Sequence, residues 1–162
     1  MLVTRSQLNA LCKVPDTFGI RFAPNGYLET TNSKIAVRIC YESPNQPDSY
    51  MVWTSQHCKS LLSSKLSMHE LKKQDSVNSL FPNLDYLFSA NDDVTEYDYN
   101  ANNLTYVNMQ ELGTISKVFS ALALTEVKCK VQSKNHGDLP RIVMYSSLDD
   151  TAQAIILFRD GK

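Results

Sequence analysis

Residues 105–132 read TYVNMQELGTISKVFSALALTEVKCKVQ. They divide into a short strand, a helix and a second strand. Asn108 stands where a helix N-cap belongs, since its side-chain oxygen can take an amide donor that a helix start leaves over. Leu112, Ile115, Phe119 and Leu122 recur at helical spacing and form one apolar face, bordered by Val118. Gly113 lies inside this helix, where glycine costs about 1 kcal/mol against alanine. TEVKCKVQS alternates Val127, Cys129 and Val131 with lysines, the period of a strand with one buried face. RIVMYSS and AQAIILFRD supply two more strands, and NHGDLP is the turn before the first of them.

The start of the chain follows the same plan. LVT is a short strand and Thr4 a candidate N-cap. Leu8, Leu11 and Cys12 fall at helical spacing, and Pro15 stops the helix. FGIRF and GYLETT are joined by Ala23-Pro24-Asn25-Gly26, and Asn-Gly between alternating runs signals a hairpin. KIAVRICYE alternates Ile35, Val37, Ile39 and Tyr41 with Lys34, Arg38 and Glu42, so it reads as a strand with one buried face. SPNQPDS is a turn, and YMVWT is a further short strand. The two helix cores compare as RSQLNALCKV and MQELGTISKVF. This predicts two β-α-β-β-β half-repeats, in residues 1–54 and 104–162. The expected fold is α+β, one domain over residues 1–162 with helices on one face of antiparallel sheets.

Residues 55–103 lie between the halves. SQHCKSLLSSKLSMHELKK carries Cys58, Leu61, Leu62, Leu66 and Leu71 and reads as one or two short helices. Ser55 would cap the first. Ser67 would cap the second, with Glu70 completing a capping box. NSLFPNLDYLF (78–88) crowds apolar residues around Pro82. Proline biases the residue before it towards extended backbone. The segment is therefore expected to be an extended linker. Phe81, Leu84 and Leu87 would pin it into the core or a neighbouring subunit, leaving Asp85 in solvent. Residues 91–103 read as an exposed loop or an edge strand.

The chain has 162 residues, enough for one compact domain. Its net charge of −1 argues against coating nucleic acid by bulk charge but permits a local basic stripe. Cys12, Cys40, Cys58 and Cys129 are far apart, without the paired spacing of a zinc site. The expectation is reduced, mostly buried thiols, no metal and no cofactor. The start MLVTRSQLNALCKV has no charged leader before an apolar run, and no stretch nears the ~20 apolar residues of a membrane span. A cytoplasmic protein is expected. His57, His69 and His136 are the only histidines. His57 and Cys58 are neighbours, which on a helix point about 100° apart. Asp92-Asp93 and Asp149-Asp150 sit in polar, turn-like stretches. There is no phosphate-binding glycine loop and no nucleophile elbow. The chain is not expected to be an enzyme. A small hydrolase using Cys58, His57 or His136 and an acid is the remaining catalytic alternative.

Three stretches carry a family resemblance. Thr30-Thr31-Asn32-Ser33-Lys34-Ile35-Ala36, within the stretch from YLETT to SSKL, is similar to an A-T-D-G-H-R-L-A strand turn. Asn32 stands there for the acid and Ser33 for the glycine. SLFPNLDYLF is similar to a G-x-F-P-D-Y-x-x-L linker, and TYVN through AQAIILFRD looks like a closing half-domain. With these, the chain resembles the DNA sliding clamps, the bacterial-type polymerase processivity factors. A full subunit of that type has three such domains, so this chain looks like a reduced, single-domain relative, with a phage protein as the expected origin.

The resemblance implies a DNA replication accessory protein with no chemistry of its own. It would form a homo-oligomer that encircles double-stranded DNA, touches phosphates without reading bases, and holds a DNA polymerase or other replication protein. The DNA-facing residues would be Arg5, Gln7, Lys13, Gln110 and Lys117 on the repeat helices, with Lys59 and Lys65 between them. Head-to-tail closure would use RICYE or YMVWT at one side and AIILFRD at the other. Leu157 and Phe158 match the family's partner-peptide pocket, and Phe81, Leu84 and Leu87 are further partner-binding candidates. The alternative is a non-catalytic protein–protein interaction module of the same fold, an inhibitor or assembly factor, that does not bind DNA.

Overall fold

The computed structural model describes residues 1–23, 26–41, 51–72, 81–89, 108–132, 141–146 and 152–157. In chain order the elements are β1 (Leu2–Thr4), α1 (Arg5–Leu11), β2 (Ile20–Ala23), β3 (Tyr27–Thr31), β4 (Ile35–Cys40), β5 (Met51–Trp53), α2 (Ser55–Leu61), β6 (Met68–Glu70), α3 (Asp85–Ser89), α4 (Met109–Ala121), β7 (Val127–Gln132), β8 (Arg141–Ser146) and β9 (Ala152–Leu157). The fold is α+β, and every strand pairing among the described residues is antiparallel.

Both main helices start where the sequence places their caps. The Thr4 hydroxyl accepts from the Gln7 amide, and the Gln7 side chain accepts from the Thr4 amide at 3.0 Å. Two orphan donors are thereby satisfied reciprocally. The Asn108 side chain accepts from the Gln110 amide at 2.9 Å. After α1 the chain makes the meander β2-β3-β4. After α4 it makes the meander β7-β8-β9. The two meanders meet where β4 pairs with β9, giving the order β5-β2-β3-β4-β9-β8-β7. α1 and α4 touch each other over one face of this sheet, and α4 also reaches β9.

Between that face and the helices lies the main core. Phe22, Leu28, Val37, Ile39, Ala154 and Ile156 from the sheet meet Leu8, Leu11, Ile115, Val118 and Phe119 from the helices. Phe22 and Tyr41 pack edge to face with ring centroids 5.5 Å apart. Trp53 is fully buried, and its indole donates to the Lys72 carbonyl at 2.7 Å, so its polar edge is not stranded. Gly19 has φ +135°, and a Cβ there would stand 2.7 Å from the Trp53 carbonyl oxygen. Only glycine fits where β2 begins beside β5.

Several sequence expectations are corrected. Residues 68–70 form no second helix. They make β6, which pairs with β1 through Val3↔His69, and both residues point inward. Thr54, not Ser55, caps α2 by accepting from the His57 amide. The linker is not extended throughout: Asp85–Ser89 is a turn of helix, and the Asn83 side chain accepts from the Asp85 amide at 2.9 Å. α3 covers the sheet face opposite α1 and α4, so the helices are not all on one face. β4 and β9 lie in the middle of the sheet; among the described strands its edges are β5 and β7. Among the described residues no helix is long and apolar enough to cross a membrane. The SPNQPDS and NHGDLP turns, the 91–103 stretch and the expected strand before Asn108 lie outside the described residues.

Candidate functional site

On the helix side, the residues expected to face DNA divide into two groups. Lys13, Lys59, Lys65, Lys117 and Gln110 are exposed. Lys13 and Lys59 come to one place, since both act electrostatically on the Cys12 thiol and pull its pKa down. Burial outweighs them and pushes that thiol up to about 11. Arg5 and Gln7 are engaged locally. The Arg5 guanidinium donates to the Ser64 carbonyl and, at 2.9 Å, to the Leu62 carbonyl. It thus closes the C-terminal end of α2, where carbonyls lack helical partners. Gln7 belongs to the cap of α1.

The other face holds a constellation that the sequence reading missed. Register places Arg21 opposite Glu29, Glu29 opposite Arg38, Arg38 opposite Gln153, Gln153 opposite Tyr145 and Tyr145 opposite Lys128. This is one row across six strands. Arg21 Nε donates to Glu29 Oε2 at 3.0 Å, and Arg38 Nε donates to Gln153 Oε1 at 2.9 Å. Arg38 lies 4.4 Å from the Tyr27 ring centre and 4.2 Å from that of Phe88. Arg21 lies 5.0 Å from the Phe81 ring centre, and Asp85 Oδ1 is 3.9 Å from its Nη2.

The 81–88 segment covers the Arg21 and Arg38 part of this row. Leu84, Leu87 and Phe88 are buried against Ala36 and Ile155, with Phe81 at the margin. The segment is therefore a strap within its own chain. Leu84 and Leu87 present no exposed surface to a partner. Leu157 ends β9 opposite Arg141, and Phe158 lies outside the described residues. Glu29 is fully buried, and its Oε1 has no hydrogen-bond partner among the described residues. Burial pushes its carboxyl above the usual range, against the opposing pull of Arg21. The signal that could have found this row is the greasy strap itself, which must cover something.

Cys58 is buried, and burial pushes its thiol up to about 12, so it is held protonated rather than as a nucleophilic thiolate. His136, Asp92-Asp93 and Asp149-Asp150 lie outside the described residues. Among the described residues no three His, Cys, Asp or Glu side chains are placed to hold a metal ion. No family model, curated protein or solved structure matches the chain.

Proposed function

We propose that this chain is a reduced, sliding-clamp-like accessory protein of DNA replication, working in the cytoplasm of a bacterial or phage-infected cell. One observation carries the reading. Two units, each a helix followed by a three-stranded meander, meet at β4 and β9 with their helices side by side. Such a layer can present helix surface to a duplex while the sheet forms an outer wall. The exposed helix-side lysines would touch phosphates, which position a protein without reading sequence. With four lysines the salt dependence would be shallow, with a slope no steeper than about −4 at ~0.9 per phosphate. Encirclement by a single domain requires several copies, joined through the sheet edges β5 and β7.

A second reading is supported by Arg5 and Gln7, which are bound within the fold instead of being presented to a ligand. It is an interaction module, an inhibitor or assembly factor, that does not hold DNA. Mass measurement in solution and retention on closed circular duplex at low salt separate the two. A closed oligomer whose retention falls when Lys13→Glu and Lys117→Glu are combined supports the clamp. A strict monomer with no retention leaves the interaction module.

A further inference from the structure

The β7 end of the sheet carries a groove of about 460 Å³. Leu112 and Phe119 of α4, Leu124 beyond it, Val127 and Cys129 of β7, and Met144 of β8 line it. β8 is the only described strand that pairs with β7, so among the described residues the outer edge of β7 offers its backbone donors and acceptors. Side chains alternate across a strand. Cys129 stands opposite Met144 on the helix side, whereas Lys128 is exposed at the end of the polar row on the strap side. The strand thus shows an apolar groove on one face and positive charge on the other.

We propose that the β7 edge and its groove receive an extended segment of a partner protein in which apolar residues alternate with acidic ones. The guest adds a strand to the sheet, its apolar side chains enter the groove, and its acids face Lys128. Of a second copy's two edges, β7 fits here poorly, and β5, which ring closure would use, offers only a three-residue strand. Two β7 strands paired with each other set the lysines of VKCKVQ against lysines, and like charges across a strand pair repel. The opposite edge, β5, has three residues, and its Val52 and Trp53 are buried in their own core. The site stands whether or not the chain forms a ring, and a ring closed through β7 would compete with the guest.

The probe is a blocked, fluorescein-labelled hexapeptide of alternating glutamate and valine. Its control is the same peptide with lysine for glutamate. At low salt the acidic peptide should bind about tenfold more tightly, as the sum of its cross-strand charge pairs. Lys128→Glu should abolish that preference, and Ser116→Trp, at the exposed groove wall, should remove binding while circular dichroism stays unchanged. Independently, the acidic peptide should slow alkylation of Cys129 by a maleimide, and the lysine peptide should not. Equal affinity for the two peptides, or an unprotected Cys129, overturns the proposal. Protection of Cys129 by raised protein concentration alone, with a doubled mass, also overturns it and makes the groove an interface between copies.

Discussion

On the helix side of the sheet, Phe22, Val37 and Ala154 meet α1 and α4 in a continuous apolar layer. On the strap side, the same three strands present Arg21, Arg38 and Gln153 beneath one short segment. The apolar layer supplies most of the burial. The polar row contributes differently. Taking charges out of water offsets much of their attraction, so a buried pair is weak evidence for stability. A two-residue slip, however, which keeps every apolar side chain on its own face, would separate Arg21 from Glu29 and Arg38 from Gln153. The row therefore opposes register shifts that an apolar face tolerates more easily. The first face holds the domain together, and the second fixes which residue pairs with which.

The comparison breaks most visibly at Phe22. Phe22→Ala should cost about 3–5 kcal/mol, because a fully buried ring leaves a cavity in the larger core. The urea midpoint should fall at every probe with the slope unchanged. A loss below about 1 kcal/mol would mean the helix-side layer is not the main source of stability.

Leu84→Ala on the strap should cost less, about 2–3 kcal/mol, since a short segment can settle into the space. Its effect should also be local. The Leu87 and Phe88 amides, which donate to the Leu84 carbonyl at 2.9 and 3.2 Å, should exchange faster while sheet amides stay protected. Equal acceleration in β3 and β9 would show that the two faces unfold as one unit.

Glu29 distinguishes the faces by pH. Its carboxyl titrates above the usual range in the folded chain, so the folded state binds the proton more tightly than the unfolded one. Its contribution to stability is therefore full below the unfolded pKa and is lost as pH rises through the folded value. Urea midpoints across that window should decline less in Glu29→Gln than in the unaltered chain. An identical decline would leave Glu29 without a part in it. The thiols test burial directly. At pH 8 Cys129 should be alkylated well before Cys12 and Cys58, whose thiols burial lifts to about 11 and about 12. Mass-mapped labelling of Cys58 in the folded chain would contradict its placement.

The smallest effect is expected at the β3–β4 turn. Ser33 has φ +66°, and the Asn32 side chain accepts from the Lys34 and Ile35 amides at 3.1 and 3.0 Å. Ser33→Gly relieves the left-handed strain at the cost of unfolded-state freedom, for a net gain below about 1 kcal/mol. A loss of stability on that change would show that Asn32 already holds the turn without strain.

Much of this was legible in the sequence for local reasons. Thr4 and Asn108 announce their helices, and β4 announces itself by alternation, because caps and periods are short-range. The β6 strand was hidden because Ser67 and Glu70 imitate a capping box. What decides that stretch is β1, more than sixty residues away, whose Val3 pairs with His69. The polar row was hidden for a related reason. Period two says that Arg38 lies on the face opposite Val37, but not what covers that face. Arg38 reads as solvent-facing until Phe88 is found over it. Arg5 likewise reads as a free cation until α2 ends against it.

Encirclement is tested most directly by topology. The chain is bound to nicked circular duplex, separated from unbound protein by gel filtration, and the DNA is then cut once. A ring predicts co-elution with the circle and release on linearisation, because linkage rather than affinity holds it. Absence from the circle, or equal retention before and after the cut, would contradict encirclement.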